Sequence, residues 1–556
     1  MRLLGRSLGR RSVALLGVLL LLTCCGLWSW LNWQWSKLDQ FPLPPEEDCA
    51  KYVFNAHDIA AELLLNQRPL EFRQLIHAWR KYPVLSWNVY ALLPAALVTA
   101  KGPDRPSEVL AMAPFLVLLV LGAAALGWVT FGPAEGVLAG LIALCIPGVI
   151  GFSRVTHLEV PAMAIAAWIP AVAWAARRPG NWMGAALLGL LAAAGLFVRY
   201  EFPIYAVPAL FGPALYWLLA LRPGRVEDTR GPLLRGMLLS LMAAGIAFAV
   251  VARLWLDELP RGALEMIKYG WRYGPVFSEY SIRPEFIGRK LLIVPSELYN
   301  VFLEPTLSKL ALLGLAIAWF RPGGDRRAVA HVALTALSGF AMFSYLENKE
   351  ARRLLLLVPA LSVLIAVGLN TLRLRLGSLK PLATLAICLL LANVGWRCFE
   401  LSFIPQAGEG RRFQLEKDVP SVPRSDRPEV TNAAAALLKY GDWPAHSRVG
   451  VFESVNVPFL QIRMRTLYRG MDVFSVFLDE QAEQPDGQLA DLVDQRPELM
   501  LGPEREVCGP QTRRTIFSNI EPGRLDELCA ALPQYRAVNT THDRDGKLLY
   551  VLRRVD

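Results

Sequence analysis

The sequence predicts an α-helical polytopic membrane protein with about eleven transmembrane helices, followed by a soluble C-terminal α/β domain. Three observations carry this reading. Of 556 residues, 54% are hydrophobic and 19% charged, with a mean hydropathy of +0.34, whereas soluble proteins carry about 25% charged residues. Apolar runs broken by short Arg-rich loops fill 12–33 and roughly 107–397. Residues 411–556 read as ordinary soluble sequence. A small soluble enzyme, a disordered tail protein and a disulfide scaffold are excluded.

The first element has a basic head (Arg2, Arg6, Arg10, Arg11) and an apolar run without a small-x-small cleavage site. It reads as an uncleaved transmembrane helix. About 20 apolar residues cross a bilayer, which gives candidate spans at 12–33, 108–131, 136–152, 159–176, 182–198, 202–221, 232–254, 306–320, 328–346, 352–371 and 379–397. A twelfth apolar stretch, 84–99, is decided by charge. If it does not cross, Arg177/Arg178, Arg222/Arg225/Arg230/Arg235, Arg321/Arg326/Arg327 and Arg373/Arg375/Lys380 all fall in cytoplasmic loops, as the positive-inside rule requires. The stretch is therefore expected as an interfacial or re-entrant helix on the outer surface, where Pro94, Ser86 and Asn88 fit. The N-terminus is then cytoplasmic. Residues 1–400 form the membrane domain, 401–430 a Pro/Arg-rich linker, and 431–556 a periplasmic or extracytoplasmic domain of a cytoplasmic (inner) membrane protein. The loop 34–107, the turn 153–158 and the loop 255–305 also face outwards.

The net charge of +10 belongs largely to these orienting loops. No basic stripe with interleaved aromatics suggests nucleic acid, so none is expected as a partner. The eight cysteines and six histidines show no metal-ligand spacing.

Ionisable residues gather on the outer face. They are Glu46, Glu47, Asp48, Lys51 and Tyr52; Arg154 and Glu159; Arg199 and Glu201; and Glu347, Lys349, Glu350, Arg352 and Arg353. Cations there run against the positive-inside rule, and charge at membrane depth points to function. Arg199, Lys349, Arg352 and Arg353 suit an anionic lipid head group, since Arg binds phosphate bidentately. The same charges can also close as an ion-pair network with Glu201, Glu347 and Glu350. A carboxylate opposite a phosphate site can take the proton of an acceptor hydroxyl, or hold a divalent cation. No cofactor is otherwise implied, and which metal, if any, is left open.

Asp48-Cys49-Ala50-Lys51-Tyr52-x-x-x-Ala56 resembles the Asp-Glu-x-x-Tyr-x-x-x-Ala stretch in the first outer loop of the GT-C membrane glycosyltransferases. These include protein O-mannosyltransferases and lipid A aminoarabinose transferases. Tyr82-Pro83-Val84-Leu85-Ser86-Trp87 is similar to their Pro-Pro-Leu-x-x-Trp segment, and Ser153-Arg154 with Glu159 resembles their acidic second outer loop. Gly195-Leu196-Phe197-Val198-Arg199 is similar to Gly-Leu-x-x-Lys, and Lys349-x-x-Arg352-Arg353-Leu354-x-x-x-x-Pro359 to Lys-x-x-Arg-Tyr-x-x-x-x-x-Pro. Cys49 stands where the family has Glu, so Asp48 acts alone or with Glu46 or Glu47.

The resemblance implies inverting transfer of a sugar from a polyprenyl-phosphate donor to a glycan, lipid or protein acceptor at the outer face. It implies Asp48 and Glu159 as catalytic carboxylates, with Asp48 as the base, Arg199, Lys349, Arg352 and Arg353 as donor phosphate ligands, and Glu47, Tyr52 and Arg154 as secondary site residues. Cations would stabilise charge developing on the leaving phosphate. Two other readings are a lipid-linked sugar transporter or flippase and a non-catalytic membrane scaffold. The first would spread its charges through the membrane depth.

Aromatics in 255–305, among them Trp271, Tyr273 and Tyr280, fit either an acceptor platform or an interfacial belt. In the C-terminal domain, helices are expected at 432–440, 486–495 and 524–532, and strands at 448–453, 498–502, 534–541 and 547–552. It has no nucleophile elbow, metal motif or phosphate loop, which suits an acceptor-orienting or structural unit. Cys508 and Cys529 can pair in an oxidising compartment.

Overall fold

The structure, a computed structural model, describes residues 2–38, 71–81, 91–101, 105–154, 159–177, 181–198, 304–320, 326–345, 355–404, 448–452, 472–476, 499–510, 521–542 and 547–555. It also describes Ala56, Ile59, Ala60, Leu63, Val493, Arg513 and several helical positions in 238–250 and 432–439. The membrane part consists of α1 (Arg2–Leu38), α2 (Phe72–Lys81), α3 (Leu92–Lys101), α4 (Arg105–Leu110), α5 (Ala113–Thr130), α6 (Pro133–Leu144), α7 (Pro147–Phe152), α8 (Glu159–Ala176), α9 (Trp182–Val198), α10 (Glu304–Trp319), α11 (Arg326–Tyr345), α12 (Val358–Arg375) and α13 (Lys380–Phe403).

Composition explains the helices. The longer ones are Ala/Leu-rich, and α5, α6, α7, α12 and α13 each carry a proline in the first turn, where a missing N–H removes no helical bond. Among the described residues, five stretches are long and apolar enough to cross a membrane: Ala14–Leu38, Pro106–Thr130, Glu159–Ala176, Leu355–Arg375 and Gly377–Phe403. Pro133–Leu144, Trp182–Gly195 and Pro305–Trp319 are shorter apolar helices. The expected spans at 202–221 and 232–254 lie wholly or largely outside the described residues.

The stretch 136–152, expected as one helix, is broken into α6 and α7. Pro147 causes the break, because its ring pushes the preceding residue out of helical geometry. Ile146 accordingly sits at φ −93°, ψ 116°. The stretch expected as an interfacial helix over 84–99 is described from Ala91 onward, as the ten-residue α3 that runs on to Lys101. A helix of that length rises about 15 Å, half a bilayer core. Its buried residues Leu92 and Ala95 pack with Ala56, Ile59, Leu63, Leu75 and Ala193.

Hydrogen bonds fix the chain directions. Asn32 Nδ2 donates to Ser153 Oγ at 2.7 Å, and Arg154 Nη1 donates to the Ser402 carbonyl. The C-terminal ends of α1, α7 and α13 therefore share one end of the bundle. At the other end Asn370 Nδ2 donates to Glu135 Oε1 at 2.7 Å, Arg373 Nε donates to Asn370 Oδ1 at 2.9 Å, and Arg375 Nη2 donates to the Phe320 carbonyl at 3.0 Å. His331 Nε2 donates to the Pro170 carbonyl at 2.8 Å, setting the start of α11 beside the last turns of α8. Trp28, Trp30, Trp33, Trp396, Phe399 and Phe403 ring the first end, and Trp128, Trp182, Trp319 and Phe320 the second. Such paired aromatic girdles mark the two edges of a bilayer. Between them α5, with 18 residues, spans about 27 Å.

The C-terminal domain contains β1 (Arg448–Phe452), β2 (Asp472–Val476), β3 (Leu499–Gly502), α14 (Pro522–Ala531), β4 (Tyr535–His542) and β5 (Leu548–Arg554). The sheet order is β2-β1-β3-β5-β4. The first three strands are parallel, with Gly450 opposite Phe474 and Met500; β5 runs antiparallel to β3, with Met500 opposite Leu552. Strand β2 was not expected. Val493 alone represents the helix expected over 486–495. Met500, Val507, Leu525, Leu528 and Leu552 form the core under α14, and a disulfide joins Cys508 to Cys529 with their α-carbons 6.1 Å apart.

Candidate functional site

The bundle end where α1, α7 and α13 finish and α8 begins is built from polar and aromatic side chains that the apolar runs deliver to a common depth. Of the residues expected to form a site, Arg154 and Glu159 are described. Asp48, Glu47, Tyr52, Arg199, Lys349, Arg352 and Arg353 lie outside the described residues. Val198, Tyr345 and Leu355 flank three of those segments. They sit at the end of α9, the end of α11 and just before α12. The contacts of α12 and α11 at the opposite edge place the latter two at this same end.

Glu159 opens α8 and has no solvent-exposed surface. A carboxylate in the first turn of a helix is favoured by the positive end of the helix dipole. Arg154 is also wholly buried. Its guanidinium carbon lies 4.6 Å from the Trp35 ring centroid and 5.1 Å from that of Phe403, while Nη1 donates to the Ser402 carbonyl. Arg154 thus faces protein groups of α1 and α13. Ser153 Oγ, besides accepting from Asn32, donates to the Ile150 carbonyl at 2.8 Å.

Sequence reasoning did not single out Asn32, Trp35, Ser402 or Phe403. The Trp-rich end of α1 was a signal, but its partner lies more than 360 positions away. Among the described residues no group of three His, Cys, Asp or Glu is placed to hold a metal.

No family model matches the sequence, and no curated protein matches it. Solved structures do. The apo form of ArnT from Cupriavidus metallidurans superposes with a TM-score of 0.54 at 13% identity, over 97% of this chain and 98% of that one. The same protein bound to undecaprenyl phosphate gives 0.53 at 12% identity, over 96% and 97%. This chain has the GT-C fold. The likeness runs over both the helical bundle and the C-terminal domain.

Proposed function

We propose that the protein is a membrane glycosyltransferase that moves a sugar, with inversion, from a polyprenyl-phosphate donor to a glycan, lipid or protein acceptor. The reaction is placed at the outer face of a cytoplasmic membrane. The observation that carries this reading is the full-length likeness to ArnT, a protein whose structure holds undecaprenyl phosphate. The buried charges Arg154 and Glu159 at one bundle end support it, because a head group at the membrane edge leaves its tail among the helices.

In this reading Arg199, Lys349, Arg352 and Arg353 hold the donor phosphate and stabilise the charge it gains as the sugar leaves. Asp48 takes the proton of the acceptor hydroxyl. Glu159 supplies a fixed negative charge near the reacting sugar. Tyr52 and Glu47 orient the acceptor, and a divalent cation held by the acids at 46–48 would serve the same purpose.

The test compares a deletion strain carrying the wild-type chain with one carrying Asp48→Asn, by mass spectrometry of envelope lipids and glycans. The wild-type chain should restore one sugar modification, and the variant should restore less than about 1% of it. Full restoration by Asp48→Asn would remove the base and favour a transporter or scaffold.

A further inference from the structure

We propose that Arg154 is a positioning residue: it clamps the last turn of α13, where the chain leaves for the C-terminal domain, to the turn that leads into Glu159. A buried guanidinium is tolerated only with partners, and those of Arg154 include groups on two distant elements. Trp35 of α1 and Phe403 of α13 cover it at 4.6 and 5.1 Å, and the Ser402 carbonyl accepts from Nη1. That carbonyl lies one residue from the end of α13, where the helix supplies no N–H four positions ahead. Arg154 therefore caps α13 from outside, as cations at helix C-termini do.

Both sides of the clamp are anchored. Phe403 stacks on Trp28 with centroids 6.0 Å apart and lies 5.4 Å from Phe399. The neighbouring Ser153 is bonded to Asn32 of α1. Glu159 follows Arg154 by five positions, so this joint links the α13 end to the start of α8. Movement of the C-terminal domain on its acceptor would then reset the acid side of the site. What Glu159 does there rests on the proposed transferase; the mechanical coupling does not.

The test is hydrogen exchange on the full chain in nanodiscs, with undecaprenyl phosphate as probe. Arg154→Met keeps the bulk beside the rings and loses the bond to Ser402. It should speed exchange at least tenfold both at 150–160 and at 399–404, leaving the 366–376 end unchanged, while undecaprenyl phosphate affinity stays within about twofold of wild type. In the wild type the probe should slow exchange at 399–404; in Arg154→Met it should bind without doing so. Arg154→Lys, which retains a donor but not the flat stack, should restore part of that response. If Arg154→Met does not insert, Phe403→Leu removes one of the two rings beside the guanidinium and should give the same paired change more weakly. Faster exchange at only one of the two segments would overturn the clamp. So would a tenfold loss of probe affinity, which would make Arg154 a phosphate ligand. A wild-type chain that fails to bind the probe would instead sink the proposed function, with the paired exchange change still readable.

Discussion

The α-carbon of Gly314 on α10 lies 2.5 Å from where a β-carbon on Gly368 of α12 would be. The two backbones cross in contact, in the manner of small-residue helix interfaces in lipid. Gly368→Ala should therefore destabilise the bundle by about 1–3 kcal/mol through overpacking, and Gly368→Val by more. A methyl group added at Gly26 on α1 would meet nothing within 4 Å, so Gly26→Ala should be neutral or mildly stabilising. Thermal unfolding of the purified protein distinguishes them, and equal midpoints for Gly368→Ala and Gly26→Ala would refute the close crossing.

At the opposite bundle end, Asn370 links Glu135 to Arg373. Asn370→Leu removes a bond from two charged groups and should cost about 1–3 kcal/mol. Glu135→Gln keeps an oxygen for Asn370 to donate to and should cost clearly less. The order of the two midpoints in thermal unfolding checks this.

The Cys508–Cys529 disulfide closes a separation of 21 residues and ties the segment after β3 to α14. A loop of that size is worth about 3 kcal/mol of chain entropy. Cys508→Ser with Cys529→Ser, or reduction of the wild type, should lower the unfolding midpoint of this domain and speed exchange in 521–532. Unfolding of the membrane helices should be unaffected.

Orientation is tested by fusions. Arg177, Arg326, Arg327, Arg373, Arg375 and Lys380 lie at helix termini of the bundle end opposite Glu159. By the positive-inside rule that end is expected to be cytoplasmic. A periplasmic reporter fused after residue 405 should be active, and one fused near residue 225 inactive. The reverse pattern would move the proposed site to the wrong side of the membrane.

Helix position was legible because apolar length and charged punctuation are local properties. Thus α5, α8 and α9 lie within a few residues of their expected bounds, and the strands β1, β3, β4 and β5 within two. The break between α6 and α7 was also written locally, in Pro147, but hydropathy alone passes over a proline. Strand β2, with only five residues (Asp472–Val476), owes its place to pairing with β1 and carries little signal of its own. The role of Arg154 was not legible. A cation before an acidic motif reads as a ligand, and only folding brings Trp35 and Phe403 beside it. Pairings across more than two hundred positions leave no trace in a single sequence.

In the sheet, β5 lies between β3 and β4 although it is the last of the five strands to be synthesised. The ribosome has therefore made the linker, α14 and four strands before the strand that joins β4 to the parallel half exists. Until β5 arrives, β3 presents an open edge on one side and Met500 lacks its cross-strand neighbour Leu552. The domain thus completes itself only after translation has passed residue 554, when the membrane helices have long since been inserted. A stalled or prematurely ended chain would present an anchored bundle trailing an unpaired strand edge, the kind of surface that chaperones and proteases recognise.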